Sequence, residues 1–189
     1  LTAKAKYPKR PNERIAHISN HNQRKVEPAM QTFLPYKSFK ESAKVLDYKR
    51  LGKQRVETIQ ILNALKALRE NDLHTTDKNG KVRKRGWLNH SCTRMWQGHD
   101  YWLCIYNIVI CEEWISRGYK DTCLEKTVNL FRQLPSELIK EKPYWLGDSK
   151  LHLSHRSRLA QKDPSHYLPL FEDADMTMGY VWFHSEPKQ

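Results

Sequence analysis

The chain has 189 residues and a formal charge of +12, from 33 Lys and Arg against 21 Asp and Glu, with a sequence pI near 9.6. That length holds one domain of about 150 residues plus an extension. No apolar run reaches the roughly 18 residues of a membrane span, and the N-terminus lacks the apolar centre of a secretory signal. The charge is the electrostatic footprint of a nucleic-acid binder, while six Trp exceed what a lean architectural binder uses.

Residues 1–29 carry seven Lys or Arg against two Glu, with Pro8, Pro11 and Pro28 and no apolar period. They read as a basic, irregular N-terminal arm, either touching DNA or unstructured, ahead of a single helical domain over 30–189. Leu1 is no initiator Met, which points to processing or to a chain read from partway. Ser38-Phe-Lys-Glu41 has the form of a capping box and opens a first helix. The helical pattern then runs, with a bend near Gly52, to about Arg69. Asn71 to Gly86 is a polar connector, a loop or a short hairpin, with an Asn79-Gly80 turn signal and the basic run Lys78 to Arg85.

A long apolar helix is predicted from Gly98 to Arg117, closed by Gly118 at C′. A shorter helix starts after Asp121, and Ser149 to Lys162 forms a last one, stopped by Pro164. The tail from Tyr167 to Trp182 is aromatic and irregular, and Tyr180 to Phe183 is the only strand-like stretch there. The predicted fold is all-α, compact and single-domain. Trp102, Trp114 and Trp145 belong to its core, as does the helical face of Tyr101, Cys104 and Ile108.

Cys92, Cys104, Cys111 and Cys123 contain no CxxC pair. His90, Cys92 and His99 match no zinc spacing, so no metal is expected. Reduced core cysteines place the chain in an intracellular compartment, cytoplasm or nucleoid. The seven Gly are scattered, no phosphate-cradling loop appears, and no cofactor is expected. The oligomeric state stays open.

The most informative stretch is Leu46 to Glu57, LDYKRLGKQRVE. At 3.6 residues per turn, Asp47, Arg50, Gln54 and Glu57 share one stripe with Lys53 beside it. Leu51, Ile59, Leu62 and Leu65 supply the apolar side. Clustered cations and carboxylates on one surface suit a polyanion and chemistry on it. The run equally fits a solvated, salt-bridged face.

Taken in order, MQTFLPY (Met30 to Tyr36), LDYKRLGKQRVE, GWLNH (Gly86 to His90), RMW (Arg94 to Trp96), CEEWISRGYKDT (Cys111 to Thr122) and LHLSHRSRLAQKDPSHY (Leu151 to Tyr167) resemble a bacterial and phage group of pyrimidine-dimer DNA glycosylases of the endonuclease V type. The resemblance covers about 30–182 and is also compatible with a phage-encoded protein. It implies a few packed helices that grip and kink double-stranded DNA. It also implies cleavage of the glycosidic bond at a pyrimidine dimer and nicking by β-elimination. The chemistry implied is an unprotonated amine attacking C1′ to form a Schiff base, beside a carboxylate that stabilises the sugar cation and moves protons.

In the family's characterised phage enzyme the amine is the chain's N-terminus and the carboxylate a Glu on the first long helix. This chain departs at both places. Arg50 fills the slot of that Glu. Asp47, one turn earlier, and Glu57, two turns later, are the nearby carboxylates, and neither is a positional match. Met30 has 29 residues ahead of it, and Gln31 is bulky for Met removal. Lys53, between Arg50 and Arg55, is the alternative amine or else a phosphate contact. The catalytic candidates are therefore Glu57, Asp47 and Lys53.

For DNA binding, Arg50, Lys53, Arg55, Arg158 and Lys162 are the expected phosphate contacts, with Arg94 beside them in the RMW segment. Arg158 and Lys162 share a helix face. His90 and His155 suit phosphate contact, acid–base steps or structural hydrogen bonds. Gln54 suits base-edge reading or helix-to-loop packing. Trp96 and Tyr167 are candidates to stack on an opened base step, with core packing as the alternative. Three classes follow: a base-excision enzyme, glycosylase with or without lyase activity; the same scaffold acting on modified bases; and a DNA-binding protein without catalysis.

Overall fold

The computed structural model describes residues 31–138 and 142–183; the arm expected over 1–29 lies outside them. Helix α1 (Phe39–Val45) starts where the capping box places it, with Ser38 Oγ accepting from Glu41 N at 3.2 Å. Leu46 is extended and ends the helix. Asp47 then caps α2 (Tyr48–Arg69), accepting from Lys49 N at 2.8 Å and Arg50 N at 3.1 Å. The bend expected at Gly52 is therefore a break at Leu46-Asp47, and α2 runs unbroken through Gly52. A Cβ there would lie 3.0 Å from the Trp114 ring, so the glycine serves close helix–ring packing.

The connector resolves as a hairpin. Strands β1 (His74–Thr76) and β2 (Val82–Lys84) pair antiparallel, Thr75 opposite Arg83. Asp77 Oδ1 holds the turn by accepting from Asn79 N and Lys81 N, and Gly80 takes φ +79°. The predicted long helix starts later, as α4 (Asp100–Ser116), because Gly98 at φ +80° separates it from a short α3 (Ser91–Trp96) that periodicity missed. Helix α5 (Cys123–Arg132) follows, then one 3₁₀ turn at Ser136–Leu138. Helix α6 (Ser149–Lys162) has the expected bounds, and Pro164 opens a four-residue α7 (Pro164–Tyr167) rather than only stopping α6.

Helix α4 is the hub, packed by α1, α2 and α5. Trp96, Tyr106, Trp145, Leu51, Ile61 and Leu103 fill the core between them. Trp114 and Trp145 are buried as expected, and the four cysteines are free and buried. Trp102 is only half buried, under the Lys142 ammonium 5.3 Å from its ring. No described helix is long and apolar enough to cross a membrane.

The element that shapes the site has no regular structure. Residues 31–35 run extended beside α2 and α6, buried throughout. Phe33 N donates to Gln54 Oε1 at 2.9 Å and Leu34 N to His155 Nδ1 at 3.0 Å. Leu34 O meets His152 Nδ1 at 2.8 Å, and Pro35 O accepts from Arg156 Nη1 at 2.8 Å. Side chains of two helices thus satisfy a main chain that has no ladder of its own.

Candidate active site and nucleic-acid interface

Laying 31–35 against α2 turns the Asp47–Arg50–Gln54–Glu57 stripe inward. Gln54 is fully buried: Oε1 also accepts from Tyr106 OH at 2.7 Å, and Nε2 donates to Gln31 O and to Glu57 Oε2, the latter at 3.2 Å. All its polar capacity goes to packing the segment, so base-edge reading by Gln54 is not supported.

Glu57 lies at the edge of this layer, its side chain 10% exposed, and Lys53 Nζ sits 3.1 Å from its Oε1. Burial raises the carboxyl pKa above the ordinary glutamate value. Lys53, the Gln31 main-chain N–H and Lys162 act on it in the opposite sense without cancelling that rise. Lys162 completes the group from the end of α6. Desolvation, and then the like charges of Arg158, Arg50 and Lys53, lower its ammonium below the usual lysine range, although the residue as a whole is exposed. A carboxyl inclined to hold its proton thus lies within electrostatic reach of an amine inclined to lose one. That pairing is what proton transfer and amine attack require.

The other catalytic candidates separate clearly. Asp47 accepts from Tyr167 OH at 2.6 Å and from Arg50 Nη1 at 2.8 Å. Burial would raise its pKa, but those partners outweigh it and hold the carboxyl below the usual range. As an ionised cap of α2 it is a structural residue. Lys53 is well exposed beside Glu57, placed for phosphate contact or for the site.

Several expected DNA contacts are redirected inward. Arg55 forms a close ion pair with Asp121 and stacks 4.0 Å over the Trp114 ring, its side chain 13% exposed; it is a structural residue. Arg50 bridges Asp47 and Asp163 and lies 5.6 Å from the Tyr167 ring centroid. Trp96 is fully buried, its Nε1 donating to Thr32 Oγ1 at 2.8 Å, and Tyr167 is buried with its ring stacked on Phe171. With no face open, both belong to the core and the stacking role is corrected. His155 is fully buried, and burial together with His152 lowers its pKa to about 3. It is a neutral main-chain acceptor, so the structural alternative holds.

Four polar side chains gather beside this layer, Gln31, His155, Arg158 and Tyr180, and the buried His155 Nε2 has no hydrogen-bond partner among the described residues. They converge on one ring. Tyr180 lies 5.4 Å from His155 and 5.2 Å under the Arg158 guanidinium, with the Gln31 side chain also acting on its hydroxyl. From there rings continue outward: Tyr180 to Trp182 at 5.5 Å, Trp182 to His90 at 6.2 Å, and His90 to Trp87 at 5.4 Å. His90 caps α3 through Nδ1, which accepts from Cys92 N at 3.2 Å, and Arg94, one turn on, is exposed. Exposed Trp87 and the Lys84 beside it were not singled out from sequence. Lys84 was marked only as part of the basic run Lys78 to Arg85 and Trp87 only by its place in the resemblance segment, since no local pattern distinguishes a surface Trp from a core one.

A model described as pyrimidine dimer DNA glycosylase matches residues 30–127, just over half of the chain. The match includes the 31–35 segment, Lys53 and Glu57, the hairpin, Trp87 and His90, and stops before α6. No curated protein and no solved structure matches the chain.

Proposed function

The chain belongs to the pyrimidine dimer DNA glycosylase family, and on that premise we propose that it is an enzyme that cleaves the glycosidic bond of damaged pyrimidines in duplex DNA, with Glu57 as its working carboxyl. One observation carries this reading: a desolvated carboxyl of raised pKa pairs with Lys53 at 3.1 Å, accepts from the Gln31 main-chain nitrogen and lies within electrostatic reach of Lys162. An unprotonated amine there attacks C1′ of the damaged nucleotide. The C1′–N bond breaks with its electron pair leaving on the base, and the protonated Glu57 supplies the proton the departing base needs. The sugar ring then opens: the C1′–O4′ bond breaks, O4′ takes up the proton that the attacking nitrogen has shed, and C1′ becomes an iminium. The iminium permits loss of a C2′ proton to the ionised Glu57 and departure of the 3′ phosphate, the lyase step.

Two amines suit this geometry. Lys162 has the lowered pKa an unprotonated amine requires. The Gln31 nitrogen is an amide in the intact chain, and in a chain cut just before Gln31 it would be a free α-amine of pKa near 8 already beside Glu57. Arg50, in the slot where the resemblance expects a Glu, is held by Asp47 and Asp163, and that ion pair orients the end of α2 rather than replacing the lost carboxylate.

Borohydride trapping on a duplex with one cyclobutane thymine dimer tests the reading. The intact chain, a chain beginning at Gln31 and the Lys162→Met and Lys53→Met variants are compared. An adduct lost with one of these amines identifies the nucleophile. Absence of both adduct and base release, with duplex binding intact, would exclude amine-based glycosylase chemistry.

A further inference from the structure

The charge on this molecule does not stop at Glu57. The hairpin connector holds Lys78, Lys81, Arg83, Lys84 and Arg85, and both its strands are exposed along their length. Asp77 engages Arg83 at 3.0 Å, and Asp72 pairs with Arg85. The first pair closes the hairpin on itself, and the second braces it onto the loop that follows α2. The hairpin stands over a cleft of about 290 Å³ lined by Lys84, Arg85, Trp87, Asn89 and His90 over the buried Leu88.

Trp87 forms one wall of that cleft and is 41% exposed. Its backbone has φ +69°, a left-handed conformation that is costly for a bulky side chain and persists only where the surroundings hold it. A buried core would repay that cost with apolar contact, yet much of this ring remains in water. His90 supports Trp87 from one side, the two rings in edge-to-face contact at 5.4 Å and 76°. His90 in turn joins the row of rings running through Trp182 and Tyr180 to the layer containing Glu57. The cleft therefore lies at the outer end of a row of rings whose inner end, Tyr180, rests on His155 and Arg158 of α6.

We propose that this cleft binds an unpaired nucleobase of the DNA held at the Glu57 site, with Trp87 as the stacking platform and Lys84 as the contact to its phosphate. Resting on the DNA-directed reading above, the assignment adds a residue and a subsite to it. Every base has a π-face, so an exposed indole takes any unpaired base regardless of sequence, and an adjacent cation satisfies the backbone. A fully paired duplex presents no such face. The site therefore favours DNA whose pairing has been opened, and it does so away from the chemistry.

The test compares two labelled duplexes of one length and salt concentration, one fully paired and one carrying a two-base thymine mismatch bubble. Native protein, Trp87→Phe and Trp87→Leu are titrated against both. The native chain should prefer the bubble. Trp87→Leu should lose about tenfold in affinity for the bubble with paired-duplex affinity unchanged, and Trp87→Phe should retain most of the preference. Equal loss on both duplexes, or no loss on either, overturns the assignment. Circular dichroism and thermal melting of each variant confirm that the fold is intact. Base release from the dimer duplex by the native chain is measured alongside. A native chain that releases no base yet shows Trp87-dependent bubble preference sinks the glycosylase reading alone. Base release without that preference sinks only the Trp87 assignment.

Discussion

Helix α2 has two charged sides, and they are built for different purposes. On one side Arg55 meets Asp121, lies over Trp114, and leaves little for solvent. Asp121 also accepts from Cys123 N at 2.9 Å and Leu124 N at 2.6 Å, so the same carboxylate caps α5. On the other side Glu57 pairs with the exposed Lys53 at the protein edge, feels the charge of Lys162, and has a raised pKa. The first arrangement is closed and holds helices together. The second keeps its acid and its amines open to something that arrives. Two charged clusters from one twelve-residue run can thus be told apart by how far their ion pairs are closed to solvent.

Breaking the closed side should have the largest effect on stability. Asp121→Asn removes charge from a buried pair and leaves the Arg55 guanidinium facing a neutral amide, which costs about 3–5 kcal/mol. Urea unfolding should show that loss, while the folded fraction keeps its rate of base release. A selective loss of activity without destabilisation would mean that the two sides had been assigned the wrong way round.

A smaller effect distinguishes the layer beneath the open side. His155 is neutral in the folded chain, with its pKa lowered to about 3 by burial, and takes up a proton on unfolding below about pH 6.5. Its contribution is fully present above that pH and is lost as pH falls towards 3, at about 1.4 kcal/mol per pH unit. His155→Gln, whose amide oxygen can still accept from Leu34 N, should flatten this slope between pH 6 and 4 as read by denaturant midpoints. An unchanged slope would show that His155 does not titrate in that range.

Much of the fold was readable locally because its signals are local: a capping box before α1, Asn-Gly in the hairpin turn, Gly118 at φ +86° after α4, and the bounds of α6. The site was less readable because it depends on contacts far apart in sequence. Residues 31–35 carry no period, yet by covering α2 they turn Gln54 from a surface amide into a buried clamp 21 positions away. They also give Glu57 the desolvation that distinguishes it from an ordinary surface glutamate. Asp47 illustrates the converse. A carboxylate one turn from Arg50 reads equally as a catalyst or a cap; its bonds to Lys49 N and Arg50 N make it the cap, and the Tyr167 hydroxyl, 120 positions on, takes up its other oxygen. Trp87 and Trp96 look alike in sequence, and packing alone leaves one in water and encloses the other.

The smallest stability effect has the opposite sign. With its folded pKa raised, Glu57 costs stability once pH rises above the ordinary carboxyl value of 4.5, so Glu57→Gln should be slightly more stable than the native chain at neutral pH. The same variant provides the most direct measurement. Single-turnover base release from a duplex with one cyclobutane thymine dimer should fall by at least about 100-fold in Glu57→Gln, with duplex affinity and helicity retained. Base release near the native rate in that folded, DNA-binding variant would contradict the assignment of Glu57 as the working carboxyl.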